Sequence, residues 1–183
     1  MRRSRGRRSI ACAQLVACRV RPQPHASPMT AHDTQALLDH LDAHYRGMPP
    51  VAAMQVAIQG HAGGKLRLSA PLSHNVNDKG CAFGGSLASL MTLACWGLVT
   101  LHVQSAGMEA DVFVADSQVR YLAPLYADLV AEADAAPDAD WAAFIGTLAE
   151  RGRARIEMVA HCALPDGGEA ATFRARFVAF RKG

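Results

Sequence analysis

From Leu87 to Val103 the chain runs seventeen residues without a charge, and the string just ahead of that run is Phe83-Gly84-Gly85-Ser86. A segment so apolar has to be hidden, either in a membrane or in the core of a domain. At 100° per residue, Leu87, Leu90, Met91, Ala94, Leu98 and Leu101 fall on one face, and Ser89, Thr92, Trp96 and Thr100 on the other. The run is slightly shorter than the ~18–20 residues of a membrane span, and Ser, Thr and His interrupt it. It therefore reads as a buried core helix and not as a span. The glycine pair at its head has no Cβ, so another group can come close to the backbone there. The first amides of a helix have no partner inside it and sit at the positive end of its dipole. Such amides suit a carbonyl oxygen that gains negative charge.

On either side of this helix the hydrophobic period changes. Thr30 to Arg46 reads as an amphipathic helix capped by Asp33 or Thr34, with Leu37, Leu38 and Leu41 at helical spacing and an end at Gly47 and Pro49-Pro50. Met54, Val56 and Ile58 then alternate with polar or small residues. Gly60 to Gly64 reads as a turn, and Lys65 to Ala70 alternates again, which together predicts a β-hairpin. After the long helix, Ala106-Gly107 breaks the run. Strands are expected at Val112–Leu122, Leu129–Ala133, Ile156–Leu164 and Thr172–Phe180. A short helix over Asp140–Glu150, capped by Asp138 or Asp140, interrupts them, and Pro165-Asp166-Gly167-Gly168 makes a hairpin turn between the last two strands. No βαβ alternation occurs, so a doubly wound parallel sheet is excluded in favour of one long helix covered by a mostly antiparallel sheet.

The formal charge of +3 conceals an asymmetry that matters for function. Residues 1–28 hold seven Arg and no acidic residue, leaving the rest with 12 Lys and Arg against 16 Asp and Glu, a net of −4. The body therefore gives no charge argument for nucleic acid. The tail resembles a targeting segment, and Leu15-Val16-Ala17-Cys18 resembles a lipoprotein cleavage box. The expectation adopted is a disordered or mis-annotated Arg-rich tail over 1–28, with translation starting at Met29 and a single domain over 29–183. The five cysteines form no Cys-x-x-Cys pair, which argues against a zinc site or a disulfide framework and for a reducing cytoplasm. His40 and His44 have metal-ligand spacing, but a third ligand is not evident, so no metal is expected.

The order of elements, with Asn77 and Phe83-Gly84-Gly85 ahead of the helix, resembles the hotdog fold of acyl-CoA thioesterases. The string Asn75 to Leu90, with Trp96-Gly97-Leu98 and Arg120-Tyr121-Leu122-Ala123-Pro124, is more similar still to the thioesterase domains of the YiiD C-terminal type. The resemblance covers about Leu37 to Arg181. It implies an α+β hotdog fold, with an antiparallel sheet of five to six strands wrapped around a long central helix. It also implies a thioesterase without cofactor, acting on acyl-CoA or an acyl-carrier protein, in a homodimer or dimer of dimers with sheets joined edge to edge and acyl pockets at the seam. The residues before Leu37 are expected to be too few for the acetyltransferase domain that can accompany this type. Two departures stand out: Phe83 takes the place of a His in the broader pattern, and Thr92 takes the place of a helical Asp.

The candidate catalytic groups are the amides of Gly85 and Ser86 as oxyanion donors, Asn77 to place water or the carbonyl, Thr92 to hold the water, and Asp78 as a base. Asn75, Phe83 and Gly84 are candidates for substrate binding. Other roles stay open for the same residues. Asn75, Asn77 and Asp78 can hydrogen-bond their own loop, Ser86 can be a helix cap, and Ser89 and Thr92 can pack at a helix seam. Cys81 lacks a neighbouring His to activate it, and His74, His102 and His161 default to structural roles. Lys79, Arg120 and Arg153 can meet the phosphates of coenzyme A. Two rival functions remain: an acyl-thioester-binding module without catalysis, favoured by the missing helical acid, and a hotdog dehydratase or hydratase, disfavoured by Phe83.

Overall fold

The computed structural model describes residues 31–183; the tail over 1–28 and the Met29 start lie outside them. In chain order the elements are α1 (Ala31–Gly47), α2 (Pro49–Met54), β1 (Ala57–Ala62), β2 (Lys65–Ala70), α3 (Gly84–Ser105), β3 (Ala110–Tyr121), β4 (Leu129–Ala135), α4 (Trp141–Arg151), β5 (Arg153–Ala163) and β6 (Glu169–Arg181). The strands form one antiparallel sheet in the order β1-β2-β4-β5-β6-β3. The sheet wraps α3, and this is the hotdog arrangement. Along β6, Phe173, Ala175, Phe177 and Ala179 point inward and are buried against the helix, as their period of two requires. Leu90, Met91, Ala94, Leu98 and Leu101 meet them from α3. By length and composition α3 would pass as a membrane span, but here those apolar residues form the core of the fold.

Three local readings are corrected by the structure. Helix α1 is already helical at Ala31, so Asp33 lies in its first turn rather than at its cap. Pro49 and Pro50 do more than end α1: they occupy the first positions of α2, where a fixed φ and a missing N–H cost nothing. That short helix takes up Val51 to Met54 and closes on Gln55 in the left-handed region (φ 54°). The strand therefore begins at Ala57, not at Met54. The hairpin turn is also narrower than expected. Gly63 and Gly64, at φ 58° and 77°, supply the two positive-φ positions of a two-residue turn, while Gly60 sits inside β1 at a register shift. Of the two proposed caps for α4, Asp140 serves, accepting from the amides of Ala142 at 2.8 Å and Ala143 at 3.1 Å.

Helix α1 crosses α3 at Gly97, where a Cβ would run into the Tyr45 hydroxyl and Leu66. Tyr45 is buried there and donates to the Leu93 carbonyl at 2.8 Å. Toward the other end of α3, His102 stacks flat on Trp141 of α4, with centroids 3.7 Å apart. Its Nε2 and that of His61 on β1 are buried, with no hydrogen-bond partner among the described residues. Burial, and after it the neighbouring His61, brings His102 down from 6.5 to about 4. The folded state thus refuses a proton that the unfolded chain takes up below pH 6.5, so stability falls as pH drops from 6.5 toward 4. After allowance for partial exposure this amounts to roughly 1–2 kcal/mol. His102→Phe keeps a ring on Trp141 without the titration. Its Tm should gain on the wild type by about 4 °C between pH 7 and pH 4.5. A difference that stays constant across that range would refute the assignment.

Candidate active site at the start of the long helix

The site is built where the Asn-rich loop enters α3. Asn77 shapes that loop: its Oδ1 accepts from the amides of Lys79 (2.8 Å) and Cys81 (3.3 Å), and its Nδ2 donates to the Cys81 sulfur at 3.2 Å. Its backbone amide donates to the Cys81 carbonyl at 2.8 Å, and Val76 bridges Ala82. Asn75 is buried beneath. Its Nδ2 donates to the carbonyls of Met54 (2.9 Å) and Pro71 (2.8 Å), while its Oδ1 is buried without a partner among the described residues. Asp78 and Lys79 form an exposed ion pair with each other, an interaction worth little in water.

Phe83 then turns the chain. It is extended (φ −67°, ψ 128°), its amide donates to the Asn75 carbonyl at 2.7 Å, and its own carbonyl receives the first helical bond, from Leu87 at 3.1 Å. No side chain caps the helix. The amides of Gly84, Gly85 and Ser86 are consequently left without an acceptor among the described residues, at the positive end of a 22-residue helix. Because the helix starts at Gly84, Ser86 lies within its first turn, and it is buried.

Each glycine serves one aromatic ring. A Cβ on Gly84 would stand 3.3 Å from the Tyr121 ring, and one on Gly85 would run into the Phe83 ring. Both rings remain more than half exposed, as does Tyr126, and Leu122 nearly so. A cleft of about 300 Å³ opens beside them, lined by Ala82, Gly84, Leu87, Tyr121, Leu122 and Pro124. So many exposed aromatics around unpaired amides is unusual for a surface. Tyr121 was quoted in the sequence only as part of a longer string. An aromatic ending a strand just before Pro124 was the signal that would have singled it out.

Other expected residues sit elsewhere. Thr92 lies about 10 Å along the helix from Gly85, and its hydroxyl donates to the Ala88 carbonyl at 2.8 Å. The structure brings Asn75, Phe83, Gly84, Gly85 and Ser86 together, with Asn77 and Asp78 in the adjoining loop and Thr92 further down. Lys79, Arg120 and Arg153 do not form one patch: Lys79 pairs with Asp78, Arg120 lies on the outer sheet face, and Arg153 covers the Phe180 ring at 5.0 Å. Cys81, Cys95 and Cys162 are free and buried; burial pushes the Cys162 thiol up to about 12. No group of three or more His, Cys, Asp or Glu placed to hold a metal ion occurs among the described residues. A second groove, about 460 Å³, lies at the opposite end of β3 between α1, α3 and that strand. Its walls include His44 stacked on Trp96, with Thr100, Gln104 and Phe113.

The family model described as "Putative thioesterase (yiiD_Cterm)" matches residues 38–181, which takes in the loop, the glycine pair and every strand. The chain belongs to that family. Among solved structures it is similar to a "putative thioesterase" of Shewanella oneidensis, at 30% identity and TM-score 0.72, covering 80% of this chain and 99% of that one. A protein of unknown function from Chlorobaculum tepidum gives 28% identity and the same TM-score, over 81% and 94% of the two chains. A thioesterase of Haemophilus influenzae, at 12% identity and TM-score 0.63 over 79% and 90%, shares the fold.

Proposed function

We propose that this member of the YiiD C-terminal family hydrolyses acyl thioesters of coenzyme A or of an acyl-carrier protein, with the Gly85 and Ser86 amides stabilising the tetrahedral oxyanion. The observation that carries this reading is the set of unpaired amides at the start of α3, next to a cleft that Gly84 lines. Donors fixed before the reaction begins cost no reorganisation when charge develops. Water adds to the thioester carbonyl, and collapse of the intermediate breaks the C–S bond and releases the thiol. Phe83 and the glycines form the contact surface for the thioester, Asn75 and Asn77 hold the loop against it, and Asp78, the nearest carboxylate in sequence, is the candidate to accept the proton of the water.

The working unit in this reading is a homodimer in the cytoplasm, paired along β3. That strand is twelve residues long, ends the sheet, and leaves Phe113, Val114 and Tyr121 exposed. A long apolar edge of this kind needs a cover. Antiparallel pairing of β3 with its copy sets the Tyr121 end of one strand beside the Val112 end of the other. The Gly84 turn of one copy then faces the Trp96 groove of its partner, which would take the acyl chain, with Thr92 on the helix face along the seam.

A second reading, acyl-thioester binding without turnover, is favoured by one observation: Thr92 stands where the broader pattern has an acid, and Asp78 is exposed and already paired. The test is thiol release from a panel of acyl-CoAs. We expect turnover without added metal or cofactor. Tight binding with no release would select the binding module, and hydration of an enoyl-CoA would select the hydratase.

A further inference from the structure

Tyr121 closes β3, and the backbone on both sides of it is tied down. The amides of Leu122 and Ala123 both donate to the Ala170 carbonyl, at 2.8 and 3.2 Å, and the Leu125 carbonyl accepts from Ala82, at 2.7 Å, one residue before the cap of α3. The phenol is thereby laid across Gly84. Its ring lies at contact distance from where a side chain would begin, and its hydroxyl donates to the Gly84 carbonyl at 3.0 Å. That carbonyl belongs to the same planar peptide as the Gly85 N–H, and in a trans peptide the two point in opposite directions. A group that fixes the carbonyl therefore fixes the direction of the amide. Within the helix that carbonyl accepts only the Ala88 amide, as the ladder of α3 requires, and no side chain caps the turn, so the phenol is the one donor that ties this peptide to the sheet among the described residues.

We infer that Tyr121 is a positioning residue for the reaction, its hydroxyl holding the Gly84–Gly85 peptide so that the Gly85 amide meets the oxyanion at the right angle. This rests on the thioesterase reading above and adds to it a residue that does not touch the reacting atoms. In the single chain the ring is 57% exposed, and Tyr121→Phe keeps that ring, so little burial energy is lost when only the hydroxyl is removed. A hydroxyl that matters for stability alone and one that matters for orientation thus predict different results.

The test is Tyr121→Phe, measured as kcat, KM and Tm beside the wild type on the acyl-CoA hydrolysed fastest. The expected result is a fall in kcat of about tenfold, with KM within twofold and Tm within about 2 °C, because the lost orientation is felt most when charge has developed. If wild type and variant share one kcat, Tyr121 has no positioning role, while the hydrolase reading stands. A fall in kcat matched by a large fall in Tm makes the hydroxyl structural and likewise overturns the inference. Absence of thiol release from the wild type overturns both together.

Discussion

Gly85→Ala is expected to lower kcat/KM for thioester hydrolysis by on the order of a hundredfold, the scale on which a misplaced oxyanion donor acts. The added methyl would enter the space held by the Phe83 ring, which is exposed at its far edge and can swing aside. Folding therefore survives. The helix even gains a little, since Ala is the better helix former. What does not survive is the approach to the amides, because the displaced ring and the new methyl both stand on the side from which a carbonyl must come. The measurement is steady-state thiol release with a thermal melt on the same sample. Activity within threefold of wild type would remove the glycine pair from the site. Lost activity with a Tm lower by 10 °C or more would make Gly85 a folding requirement instead.

The second large effect concerns the β3 edge. Val114→Lys places a charge on the inner side of an exposed edge strand, opposite Phe177 of β6. In a lone subunit this position is 43% exposed and the substitution is tolerated. At a seam between two copies it buries an unpaired charge at each of the two Val114 positions, which costs several kcal/mol. The wild type is therefore expected to sediment at about twice its 19.5 kDa chain mass and the variant as a single chain. Activity should fall by on the order of a hundredfold with the loss of the partner's groove. A wild type that sediments as a monomer, or a monomeric variant with full activity, would each sink the paired site.

How much of this could be read from the sequence depended on the range of the interaction involved. The long helix was legible because Leu87 to Val103 excludes charge outright, and β6 because Phe173, Ala175, Phe177 and Ala179 repeat every second residue. Asp140, one of two caps offered for α4, and the Pro165–Gly168 turn act on their immediate neighbours and were also legible. The segment Pro49–Ile58 misled for a local reason. An alternating pattern of five residues cannot show that Pro49 and Pro50 start a helix rather than end one. In the loop, Asn75 and Asn77 were picked out as polar residues near a glycine pair. Their actual partners (Met54, Pro71 and Cys81) come from contacts that spacing does not reveal.

Sequence alone determined the class of fold, the position of the core helix and the presence of free amides at its head, because each follows from which side chains can be hidden and which backbone groups can be paired within a few residues. Only the tertiary structure decided that Tyr121, 37 residues away, lies on Gly84, that His102 lies on Trp141, and that β3 ends the sheet with its apolar edge open. These depend on how strands from distant parts of the chain come to lie side by side, and hydrophobic period carries no record of that order.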